Sequence, residues 1–276
     1  MAIKLDMGKA WNDAVALLSA NRDVVLVVAG VFFFLPSAIA SLAMPQPTEI
    51  EALSASAEPN PEALLGAISA YYGQIWWMFL LIGLVQAIGA LCVLALLTDR
   101  SRPTVGDALK FGLKALIPYI ATQLLVALLV TAVMGVLIGI GALISVAVAA
   151  LLGLVGVILA IYVWIKLSLA TPVIGIEKRL NPLAAMQRSW QLTKGNSLLL
   201  LAFYLLLGLV MIVISLIGGM VFAIFGFVGE QVGLFASAIG GALISMGVTA
   251  VMLAVLAAVH RQLSGGTSEA VRETFD

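Results

Sequence analysis

Asn181-Pro182-Leu183-Ala184-Ala185-Met186-Gln187-Arg188-Ser189-Trp190-Gln191-Leu192-Thr193-Lys194-Gly195-Asn196 is a short amphipathic segment between two long apolar runs. Asn181 can cap a helix, and Pro182 suits its first turn, where a missing N–H costs nothing. Leu183, Met186 and Trp190 then fall on one face and Arg188 on the other. Gly195 ends the helix and Asn196 opens the next apolar run. Looser versions of the segment occur twice earlier, each ahead of a pair of apolar runs. That recurrence gives the expected fold: an all-α, polytopic membrane protein whose six transmembrane helices form three parallel repeats. Each repeat is one interfacial amphipathic helix plus a two-span hairpin.

Composition agrees. The chain has 276 residues, 63% hydrophobic and only 10% charged, with a mean hydropathy of +1.17. A soluble domain carries about 25% charged residues. Fourteen basic residues balance fourteen acidic ones, which argues against nucleic acid as a partner. Cys92 is the lone cysteine. It can form neither an intrachain disulfide nor a metal cluster, and it reads as a small buried apolar residue.

In chain order, Asp6 caps a first amphipathic helix. Met7, Trp11, Ala14, Val15 and Leu18 share one face, with Lys9, Asn12 and Asp13 opposite. Such a helix suits the headgroup layer. Spans are expected at about 24–44, 75–97, 116–138, 146–169, 197–222 and 233–259, each long enough for a hydrocarbon core of about 30 Å. The first run resembles a signal peptide, with Ser41-Leu42-Ala43 as a cleavage site. It is read as a span because it is long for that role and follows an amphipathic helix. Pro36 should kink it. Residues 45–74 read as an acidic extracytoplasmic loop carrying Glu49, Glu51, Glu58 and Glu62, with a short helix from Pro61 to Ala70. Tyr71, Tyr72, Trp76 and Trp77 mark a membrane interface. A second amphipathic helix follows Asp99-Arg100-Ser101-Arg102, with Val105, Leu109, Gly112, Leu113 and Leu116 opposite Asp107, Lys110 and Lys114. Residues 115–165 carry no charge, room for two spans turning near 139–146. Lys166 should snorkel to the interface. Residues 264–276 form a polar, mobile tail.

Six spans put every Lys and Arg on one side, facing Glu49, Glu51, Glu58, Glu62 and Glu230 on the other. The positive-inside rule then makes both termini cytoplasmic. With Ala10, Ala108 and Ala185 in register, Ala14, Gly112 and Ser189 coincide, and so do Val15, Leu113 and Trp190. Asn21 coincides with Asn196. The units point the same way, as parallel repeats do.

Ile176-Glu177-Lys178, the Asn181–Trp190 stretch and Lys194-Gly195-Asn196, set between spans four and five, resemble the membrane domain of bacterial glycerophosphoryl diester phosphodiesterases. The resemblance covers nearly the whole chain in layout but about 20 residues in recognisable motif. It implies a multi-pass protein of the bacterial inner membrane, a setting in which stand-alone six-span members also occur. It implies no phosphodiesterase activity. That chemistry needs carboxylates and paired histidines around a metal, and His260 is the only histidine here.

No enzyme constellation stands out, so no catalytic residue, metal site or cofactor is expected. Glu177, beside Lys178 and Arg179, reads as part of a solvated charge cluster. Lys9, Lys110, Lys114, Arg188, Trp190 and Lys194 are candidates for contact with lipid headgroups or a partner. Gly233, Ser237, Gly241, Ser245 and Thr249 form a small-residue ladder for helix packing, with Gly135 and Gly139 as a second pair. Gln86 and Gln123 are candidate cavity residues; bonding across a helix interface is their simpler reading. Membrane lipid is the expected partner, and another membrane protein is left open beside it. Two functions stay open. One is a non-enzymatic scaffold or accessory in envelope or lipid homeostasis. The other is a transporter or channel for a lipid-like or neutral solute.

Overall fold

Apolar helix formers with capped starts dominate this chain, and the computed structural model follows them: among the described residues, 3–56, 60–98 and 103–265, there is no strand. α1 (Met7–Ala20) starts at Asp6, whose carboxylate accepts the Lys9 N–H at 2.9 Å. α2 (Arg22–Ala29), a π-helical turn (Gly30–Phe34) and α3 (Leu35–Ala43) make the first span. Pro36 sits at the start of α3. The wide turn before it gives room to a ring that would crowd the carbonyl one turn back.

α4 (Thr48–Ser54) lies against α5 (Pro61–Thr98), and the Tyr71 hydroxyl donates to the Pro45 carbonyl at 3.0 Å. Residues 45–74 are therefore not one loop. Once Pro61 and Glu62 start α5, nothing between Ala70 and Ile75 is strong enough to stop it. Glu58 and residues 99–102 lie outside the described residues. α6 (Val105–Ala142) is also one helix, so the second amphipathic segment is continuous with its span rather than a separate surface helix. Pro118 lies inside it, and the Thr122 hydroxyl donates to the Pro118 carbonyl at 2.8 Å. At 38 residues each, α5 and α6 run about 57 Å, far beyond a hydrocarbon core of about 30 Å. α7 (Val146–Leu167), α8 (Ala170–Ile176), α9 (Pro182–Leu192), α10 (Ser197–Ala223) and α11 (Glu230–Leu263) complete the chain. Of the expected tail, only Ser264 and Gly265 are described.

Six segments are long and apolar enough to cross a membrane: Arg22–Ala43, Pro61–Thr98, Val105–Ala142, Val146–Ile176, Ser197–Phe227 and Glu230–Leu263. The tight core lies at the end of the bundle that carries the basic side chains. Leu91–Leu97 of α5, Val173 and Ile174 of α8 and Ala257–Val259 of α11 meet there. α6 and α7 pack on each other but leave most of their apolar surface open, as helices facing acyl chains can.

The six-span path sets a labelling expectation. Ser56→Cys and Lys194→Cys, each in a Cys92→Ala background, should react with an impermeant maleimide from opposite faces, Ser56 in intact cells and Lys194 only after permeabilisation. Labelling of both from one face would remove the path.

Candidate functional site

α9 owes its position to a break in the chain below it. α7 stops at Leu167 and α8 starts at Ala170, which leaves backbone groups to satisfy. The Ser189 hydroxyl donates to the Lys166 carbonyl at 2.8 Å and accepts the Leu169 N–H at 3.2 Å. The Thr193 hydroxyl lies 3.3 Å from the same carbonyl. Asn181 caps α9, accepting the N–H groups of Leu183 at 3.0 Å and Ala184 at 3.2 Å. The inward face is therefore Ala185, Ser189 and Leu192. Leu183 and Trp190, on the apolar face read from the sequence, are 59% and 40% exposed. Short side chains let α9 approach the break, and the large apolar ones turn outward.

Lys166 does not snorkel. It is 4% exposed. Its ammonium lies 3.4 Å from the Thr193 carbonyl, 5.6 Å from the Tyr162 ring centre and 5.5 Å from that of Trp190. Two π-faces and a carbonyl at the C-terminal end of α9 stabilise the charge.

Glu177 is not a solvated charge either. Its side chain is 18% exposed, with Arg179 Nε at 2.8 Å, Arg188 Nε at 2.9 Å and His260 Nε2 at 3.1 Å. It joins the end of α8 to α9 and α11. Burial alone would raise its pKa, but the bond and charge of Arg188, then those of His260, hold it below the ordinary glutamate value. Arg188, expected at the lipid surface, is committed to this inward pairing.

The chain's start is tied to the same end by two amides. Asn196 donates to the Ile3 carbonyl at 2.7 Å and accepts the Leu5 N–H at 2.9 Å. Gln262 accepts the Asp6 N–H at 3.2 Å and lies 3.4 Å from the Asp6 carbonyl. Each amide pairs with the extended backbone as a neighbouring strand would. α1 then lies along α11.

Above this polar seal the helices part. α7 meets α10 through an edge-to-face contact of Trp164 on Tyr204, ring centres 5.9 Å apart. A cavity of about 390 Å³ opens beside it, with Gln123 of α6, Ser168, Thr171 of α8, Tyr204 of α10 and Met252 of α11 in its lining. A second chamber of about 340 Å³ lies further along α10 and α11, lined by Ser215, Gly219, Phe222, Ser237, Gly241 and Ser245 among others. Val248 lines the second and Met252, one turn on, the first.

The expected site residues thus divide. Gln123 lines a chamber. Gln86 instead donates to the Ser37 hydroxyl at 3.3 Å, bridging α5 and α3. Of the span-six ladder, Gly233 packs closely: a Cβ there would come within 2.6 Å of the Gly226 Cα. Nothing lies within 4 Å of a Cβ at Gly241, and Ser237, Gly241 and Ser245 line the second chamber. Steps of four residues advance about 40° past a full turn, so the ladder winds off the packed face. Gly135 and Gly139 meet nothing within 4 Å; Gly141, against the Ala149 backbone, and Gly156, against Met134, make the close α6–α7 contacts. Lys9, Lys110, Lys114 and Lys194 are exposed at the basic end.

Fold and site together define a multi-pass, all-α membrane protein with a cleft that opens between its α6–α7 and α10–α11 hairpins and continues as a second chamber between α10 and α11. The chain matches no protein-family model, no curated protein and no solved structure.

Proposed function

We propose that this is a non-enzymatic integral membrane protein that holds a lipid-like molecule in the cleft, as an accessory in envelope or lipid homeostasis. The observation that carries the reading is the pair of chambers at membrane depth. Their combined lining is mainly apolar with a few hydroxyl and amide groups, and each is of a size that ligand pockets have, roughly 300–1,000 Å³. Lipid is the occupant because the lining is open to the surface that α6, α7, α10 and α11 turn to acyl chains. Lys9, Lys110, Lys114, Lys194 and Trp190 contact headgroups at the cytoplasmic face of a bacterial inner membrane, and both termini lie on that face.

Three parallel units, akin to the membrane domain of glycerophosphoryl diester phosphodiesterases, underlie the cleft in this proposal. In support, Asp6, Thr104 and Asn181 each cap a helix four residues before a buried alanine: Ala10, Ala108 and Ala185. One turn on, Ala14, Gly112 and Ser189 are buried, while the neighbouring Val15, Leu113 and Trp190 are exposed. α1 packs on α11, the start of α6 on α5, and α9 on α7 and α8, so each interfacial helix leans on the unit before it in a cycle. The first chamber is where the second and third hairpins part, and the second lies between the two helices of the third.

A second reading, passage of lipid across the bilayer, draws on length. Ser237 to Leu256 spans about 29 Å of α11, close to the hydrocarbon thickness.

A diazirine-bearing fatty acyl phospholipid tests the proposal. Adducts on Ser237–Val248 should be suppressed by excess unlabelled lipid extract, whereas adducts on the outward face of α7 should not. Gly241→Leu should remove the suppressible adducts and leave the melting temperature unchanged. Adducts that persist at wild-type level in Gly241→Leu would sink the proposal.

A further inference from the structure

We infer that the chamber lined by Gln123 and Tyr204 takes the uncharged, hydroxyl-bearing head of a neutral lipid, an inference that rests on the lipid-cleft reading above. Among the described residues, no charged side chain lines this chamber. Lys166, the cation nearest in sequence, points the other way, toward α9 and between Tyr162 and Trp190. A phosphate head drawn in here would lose its water and find no counter-charge, which disfavours it strongly.

The polar groups that do line the chamber are part-used, and what remains defines the ligand. The Ser168 hydroxyl donates to the Ile165 carbonyl at 2.8 Å and stands 3.3 Å from the Tyr204 hydroxyl. Gln123 donates through Nε2 to the Tyr119 hydroxyl at 3.3 Å, and among the described residues its Oε1 accepts no hydrogen bond. The Thr171 hydroxyl likewise has no partner among the described residues. A ligand that satisfies both must accept from Thr171 and donate to Gln123 Oε1. A hydroxyl does both. An ester or ketone can only accept, and a bare hydrocarbon does neither. Val126 and Val130 above Gln123, with Met252 and Leu256 opposite, take the apolar stem. The second chamber continues along α10 and α11 in the direction an acyl chain would run.

The test holds the chains constant and changes the head. Binding of 1,2-diacylglycerol, the phosphatidic acid with the same chains, and the corresponding triacylglycerol is measured by native mass spectrometry of the full chain released from mild detergent. Diacylglycerol should bind at least tenfold more tightly than either of the others. Gln123→Leu should abolish the preference over triacylglycerol while lipid still binds, and its melting temperature should stay at the wild-type value. Phosphatidic acid binding as tightly as diacylglycerol, or a preference that survives Gln123→Leu, would overturn the inference and leave the lipid cleft standing. Failure of all three lipids to bind saturably, or cross-linking of a second copy of the chain through Gln123→Cys, would overturn both.

Discussion

Glu177→Leu should cost about 3 kcal/mol of stability in detergent. Removing one partner of a buried pair usually costs roughly 3–5 kcal/mol, because the charge left behind has neither water nor a partner. The lower end applies here, since the Arg188 side chain is 29% exposed and retains some solvent. His260, at 4%, loses a hydrogen-bond partner with no water to replace it. Glu177→Gln should cost less, because its amide oxygen still accepts one bond. Arg179→Gln should fall within about 0.5 kcal/mol of wild type, since a pair with a half-exposed arginine contributes little. pH separates the variants again. The folded-state pKa of Glu177 lies below the ordinary glutamate value of 4.5. Its contribution is therefore complete above that value and is lost as pH falls through the folded-state pKa. Wild type should lose stability over that acid range by a margin that Glu177→Leu does not show. Chemical denaturation followed by tryptophan fluorescence, at neutral pH and along an acid series, reads both effects. A Glu177→Leu variant as stable as wild type would mean that the ion cluster does not join α8, α9 and α11.

The six long helices and the basic–acidic segregation were legible in the sequence, because hydropathy and charge are local properties and the bilayer sets the length scale. Asp6 and Asn181 were legible as caps for the same reason. What failed depended on which partner a residue meets. Leu183, Met186 and Trp190 were legible as the apolar face of α9, but which face packs on the protein was not. In a membrane the large apolar residues can face lipid, and the docked face goes to Ala185 and Ser189, which permit close approach. Glu177 and His260 are far apart in the chain, and no periodicity connects them. Lys166 looked like a span terminus, because the two rings that enclose it include one from α9. Gly241 shared a spacing with Gly233 but not a face, and a ladder read in steps of four hides that rotation. Gln123 was legible as a polar residue at depth. The chamber around it needed five helices in place.

That rotation gives the second large effect. Gly233→Ala and Gly233→Leu should both destabilise the protein, by about 1–3 kcal/mol. A Cβ at Gly233 would stand 2.6 Å from the Cα and 3.0 Å from the N of Gly226, and both atoms are backbone. A side chain in the way could rotate aside; the backbone just before α11 can move only if the α10–α11 hairpin opens. Since the contact is made by the first side-chain carbon, even alanine should cost most of the penalty, and leucine should add little. Gly226→Ala is the matched control, because a Cβ built there meets nothing within 4 Å. Gly241→Leu is the second control and should stay within about 0.5 kcal/mol, as its side chain enters the open chamber rather than a packed crossing. Thermal unfolding of the four purified variants in one detergent makes the comparison. Equal melting temperatures for Gly233→Leu and Gly241→Leu would mean that the two glycines share an environment. The close crossing at the α10–α11 turn would then be lost as an explanation, and so would the separation of that packed face from the chamber-lining one.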